Sequence, residues 1–167
     1  MILSIYSKFI DVLEKILRIL VIILLAVSFF IILSQVVCRY FLHSGAPWME
    51  EAARYMIIWM SFLGMPIAIR HGNHMYIDMI EQLFSNIPRI LLNLFFDILI
   101  VILCAALFIG GWQYNMDNYK NLSTGLQISM SWVYSSICVG AVLSILVVVE
   151  SFCKKIALKD PHPEKRK

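Results

Sequence analysis

Ile19-Leu20-Val21-Ile22-Ile23-Leu24-Leu25-Ala26-Val27-Ser28-Phe29-Phe30-Ile31-Ile32-Leu33 is interrupted by a single hydroxyl, that of Ser28. The apolar run extends both ways, over roughly 16–37. About 20 such residues in a helix cover about 30 Å, the thickness of a bilayer's hydrocarbon core. Three more stretches of the same kind follow, at about 48–69, 90–112 and 128–149. None alternates with the period of two that a barrel strand needs, and only helices or closed barrels satisfy their backbone in lipid. The sequence predicts an all-α integral membrane protein with four transmembrane helices, one membrane domain over 1–167 and a basic tail at 150–167. Ala26-Val27-Ser28 offers small residues for a signal-peptide cleavage, but the apolar run continues past it. The first span is therefore expected to be a retained anchor.

Composition agrees. Apolar residues make up 60% of the 167 and charged ones 15%, with a mean hydropathy of +0.80. Soluble domains run near 45–50% and about 25%. That balance excludes a soluble enzyme, a disordered chain and a nucleic-acid binder. Lys8, Lys15 and Arg18, then Arg70 and Arg89, then six basic residues of the tail fall on one side of the membrane. Only Arg39, Arg54 and Lys120 fall on the other. The positive-inside rule puts both termini in the cytoplasm. The four cysteines have neither CxxC nor disulfide-framework spacing and read as small apolar residues.

Two flanking segments read as interfacial and amphipathic. Ser4, Ser7, Lys8, Asp11, Lys15 and Arg18 form a polar stripe before the first span, opposite Ile2, Ile5, Phe9, Val12 and Ile16. This segment is expected to lie in the interface or to run directly into span one. Between spans two and three, Asp78, Glu81, Gln82 and Ser85 stand beside Ile77, Ile80, Leu83 and Phe84.

The second span holds the unusual chemistry. From Arg54 to Arg70 is too short a helix to cross, so the span is expected to begin near Pro47, a residue suited to a first helical turn. Glu50, Glu51 and Arg54 then fall in its first turns, with Glu50 and Arg54 four apart in the favourable order. Snorkelling anchors would explain them, and so would bonds within the bundle or to another membrane chain. At the other end Gly64 and Pro66 are expected to loosen the last turns before Arg70, and Gly72-Asn73 to turn the chain.

On the third span Asp97 shares a face with Arg89 and Asn93. An acid this deep is costly, so it is expected to face protein or water; a structural hydrogen bond and a proton or cation site are both open. On the fourth, Ser136, Gly140 and Ser144 recur at steps of four, a row that lets another helix approach closely. His43, His71, His74 and His162 all lie outside the apolar runs, so no pair can clamp a haem within the bilayer. No phosphate loop, nucleophile–base pair or metal set is visible, and no cofactor is expected. The chain reads as a membrane-embedded accessory subunit. A redox membrane protein, a small self-contained dimeric exporter and a lone assembly factor are the alternatives.

Glu50-Glu51-Ala52-Ala53-Arg54-Tyr55, then Trp59, Phe62-Leu63-Gly64, Arg70, Gly72, His74 and Asp78 resemble the signature of the small, DctQ-like membrane subunit of TRAP (tripartite ATP-independent periplasmic) transporters. Cys138 departs from that pattern, where proline is common. The resemblance implies a scaffold in a bacterial inner membrane, bound to membrane lipids and to a large permease subunit that moves as an elevator and works with a periplasmic substrate-binding protein. It implies sodium-driven import of an organic acid: sialic acid, a C4-dicarboxylate or a sugar acid. Glu50, Glu51 and Arg54 would organise the outer end or the contact with the large subunit, and Arg70, His74 and Asp78 the inner turn.

Overall fold

The structure, a computed structural model, describes residues 2–41, 47–72 and 89–157. Four helices account for most of them: α1 (Ile2–Phe41), α2 (Pro47–Gly72), α3 (Arg89–Asp117) and α4 (Met130–Ala157). Each is long and apolar enough to cross a membrane. The interfacial segment expected between spans two and three, and most of the basic tail, lie outside the described residues.

Of the two courses open to the first residues, the chain takes the second. They belong to α1, which runs 40 residues without a break. That is about 60 Å, twice the hydrocarbon thickness, so one end of α1 extends past the core. No glycine or proline interrupts 2–41, and the Tyr6 hydroxyl donates to the carbonyl of Leu146 on α4 at 2.9 Å. The side of α1 turned to the other helices carries Ile10, Glu14 and Leu17, whereas Phe9, Val12 and Ile16 are more than half exposed. Of the polar stripe, Lys8, Asp11, Lys15 and Arg18 are exposed and Ser7 is half-buried, and Asp11 reaches Arg70 of α2.

The helices pack in the order α1, α2, α4, α3, with a lighter contact between α1 and α4. α2 and α4 are therefore the middle helices, and α4, which also touches α1, is the most buried. Ser136, Gly140 and Ser144 on it are all buried, and at Gly140 it meets α2. A Cβ on Gly140 would lie 2.7 Å from the carbonyl oxygen of Phe62. That carbonyl has no ordinary helical donor, because the residue four positions on is Pro66, which has no N–H and is enclosed inside an unbroken α2. A glycine Cα–H thus points at the oxygen that the proline leaves unbonded, a weak but recurrent kind of contact. On its other side α4 meets α3, where a Cβ on Gly111 would come within 2.9 Å of Ile137 and 3.3 Å of the Cys138 sulfur.

Candidate functional site

The charged side chains gather at the two ends of the bundle. At the first end, the α3–α4 connection folds into a small hairpin. Ser123 N–H donates to Ile128 O at 2.9 Å and Met130 N–H to Asn121 O at 2.9 Å, with Gln127 in the left-handed region at φ 56°. The tip of this hairpin closes on Glu51, in the first turns of α2. Its carboxylate accepts from the Ser123 hydroxyl, from Thr124 Oγ1 at 2.7 Å, and from the backbone N–H groups of Gly125 and Leu126, both at 3.0 Å. Gly125 fits because it has no side chain: a Cβ there would meet Glu51 Oε2 at 2.9 Å and the Trp48 backbone at 3.0 Å. A charged acceptor with several converging donors is among the stronger polar contacts available to a protein.

The acidic–basic triple read from the sequence is divided by the fold. Glu51 turns to the hairpin. Glu50 pairs with Arg54 at 3.1 Å on the outside, with both side chains at least 60% exposed.

At the opposite end, Arg70 joins three helices. It donates to Glu14 of α1 at 2.5 Å, to Asp11 of α1, and to Glu150 of α4 at 3.2 Å. Its side chain is 17% exposed, that of Glu14 14% and that of Glu150 4%. Glu14 also accepts from Arg18, and His71 Nε2 stands 2.8 Å from it. A guanidinium offers a planar fork of donors, which lets one side chain hold carboxylates from two other helices.

His74 and Asp78 lie outside the described residues. Asp97 is buried, 2% exposed, beside a half-open cavity of about 270 Å³ lined by Ile98, Ile102, Val148, Val149 and Phe152. The side chains of Arg89 and Asn93 are not among those described. Among the described residues no three histidine, cysteine or acidic side chains gather as a metal set. Sequence reasoning missed Asp11, Glu14 and Glu150 as partners of Arg70, and Ser123-Thr124-Gly125-Leu126 as the partner of Glu51. Topology held the signal for the first group, since the start of α1 and the ends of α2 and α4 must meet at one face.

Comparison with known proteins adds identity to this geometry. The family described as the DctQ component of tripartite ATP-independent periplasmic transporters matches residues 28–158. A provisionally named TRAP transporter small permease protein of Haemophilus influenzae is 28% identical over 138 residues, covering 81% of this chain and 84% of that one. The sialic acid TRAP transporter small permease protein SiaQ of Vibrio cholerae is 28% identical over 127 residues, 76% of this chain and 73% of its own length. The sialic acid TRAP transporter permease protein SiaT of Haemophilus influenzae is 26% identical over 127 residues, 74% of this chain but only 20% of that longer protein.

Proposed function

The chain belongs to the DctQ family, the small membrane subunits of TRAP transporters, and is a transport component, not an enzyme; from that membership we propose that it is the scaffold subunit of a sodium-driven importer of an organic acid. It works with a large permease subunit and a periplasmic binding protein in the inner membrane of a bacterium. The family match over 28–158 carries the reading.

The geometry is in keeping with a frame that does not move. Arg70 ties α1, α2 and α4 at one end, and Glu51 ties α2 to the α3–α4 hairpin at the other. A helix pair that slid during transport would have to break these charge-assisted bonds. The distribution of basic residues supports a cytoplasmic side for the Arg70 end and both termini. Sialic acid is the substrate proposed first, from the names of SiaQ and SiaT; C4-dicarboxylates and other sugar acids are the wider class.

Proteoliposomes test this. Vesicles holding the large permease, with its binding protein outside, should take up labelled sialic acid under an inward sodium gradient only when this chain is present. Full uptake by the large subunit alone would overturn the scaffold role, and uptake indifferent to sodium would overturn the coupling.

A further inference from the structure

Three of the four helices present bulky apolar side chains outward. Ile22, Phe29 and Leu33 on α1, and Leu99, Ile102 and Leu103 on α3, are all at least half exposed. On α4, Val139, Val142 and Val149 are open. α2 does not follow them. Its open side carries Arg54, Ile57, Ser61, Gly64, Ala68 and His71. Arg54, Ser61, Ala68 and His71 are exposed, Ile57 is the one bulky apolar residue among them at 42%, and a Cβ on Gly64 would meet nothing within 4 Å.

A second observation concerns the helix as a whole. α2 is the least apolar span, with a mean hydropathy of 1.5 in its best stretch against 2.3 to 3.1 in the others. Within one chain in lipid, the least apolar helix should be the most covered. Here α4, at 2.3, is the most covered, and α2 is no more buried than α3 at 2.6. The intrachain contacts absorb Glu51 and Arg70 but leave this side open. Ser61, whose hydroxyl donates to Ile57 O of the same helix at 2.8 Å, Gly64 and Ala68 give this side the small residues from which helix–helix contacts in membranes are built.

Resting on the reading of the chain as a TRAP small subunit, we propose that the Arg54–His71 side of α2 receives a transmembrane helix of the large permease subunit. The strip spans 18 residues, a rise of about 25 Å, which is most of the hydrocarbon thickness. In SiaT a stretch similar to this chain is one fifth of a longer permease protein, which places such a stretch and a larger permease portion in one molecule.

The test uses cells expressing this chain together with the large permease. Benzoylphenylalanine at position 61 should crosslink to the large subunit on illumination, and the same probe at position 29 of α1 or 102 of α3 should not. Gly64→Leu has room in the isolated chain, so it should insert and accumulate as wild type while recovering at least about tenfold less large subunit in mild detergent, the equivalent of about 1.4 kcal/mol. Crosslinks to the large subunit from position 29 or 102 alone, with undiminished recovery by Gly64→Leu, would overturn this face and leave the scaffold reading intact. A crosslink from position 61 to a second copy would overturn it too. Failure of the wild-type chain to recover any large subunit would instead strike the functional reading itself.

Discussion

Glu51 accepts the backbone N–H of Leu126 at 3.0 Å, which fastens the start of one span to the connection between two others. The loop backbone there has few strand or helix partners of its own, so the carboxylate does for it what a ladder would do elsewhere. Trp48 and Glu51 together form the floor on which Gly125 rests.

Replacing Glu51 with Gln keeps the size but turns an acceptor for four donors into a group that is half donor. Amide exchange at Gly125 and Leu126 should accelerate by about tenfold or more, with the centres of the spans unaffected. Arg54→Ala, which removes only the exposed pair with Glu50, should change stability by about 0.5 kcal/mol or less. Hydrogen-exchange mass spectrometry in detergent measures both.

Arg70→Met should destabilise the bundle by about 3–5 kcal/mol, because it leaves Glu14 and the enclosed Glu150 without their shared cation. Adding Glu150→Gln to that variant should recover about 1 kcal/mol or more. Unfolding in SDS titrations gives the cycle, and strict additivity of the two changes would show that the pair is uncoupled.

Two glycines should answer oppositely to the same methyl group. Gly140→Ala pushes against the Phe62 carbonyl and its backbone, which cannot rotate away, and should cost about 1–3 kcal/mol. Gly64→Ala meets nothing in the isolated chain and should stabilise it by about 0.5–1 kcal/mol through helix propensity. Thermal unfolding of the purified chain separates them.

The row on α4 should also be uneven. Ser136 Oγ donates to Val133 O at 2.7 Å, whereas the buried Ser144 hydroxyl has no hydrogen-bond partner among the described residues. Ser144→Ala should therefore be neutral or stabilising by up to about 1 kcal/mol, and Ser136→Ala destabilising by about 1 kcal/mol. Equal losses at the two positions would contradict this.

The four spans were legible because lipid imposes one requirement on every crossing segment, and Ile19–Leu33 meets it openly. The true helices run longer than the apolar stretches, since a helix does not stop where hydrocarbon does: α1 continues back to Ile2 and α4 on to Ala157. The residues of the site were legible as unusual but their partners were not. Glu51 and Arg54 look alike in a motif of consecutive charges, yet they lie on different sides of α2 and enter different contacts. Glu14 escaped notice because a polar residue before a span reads as solvated until the helices at its side are placed. Pro66 reads as a place where the last turns loosen; in the structure it lies within an unbroken α2 and frees the Phe62 carbonyl that Gly140 approaches.

The inner position of α4 has a consequence for biosynthesis. The helix that α2 and α3 both pack against is the last of the four to leave the ribosome. Until it enters the bilayer, Arg70 lacks Glu150, the Phe62 carbonyl lacks Gly140, and the hairpin that holds Glu51 is unfinished. α1 and α2 can pair early, but α3 waits in the membrane for a neighbour still being translated. During that interval the chain exposes its least apolar span most fully, and that is when a membrane chaperone or a protease has the longest opportunity to act on it.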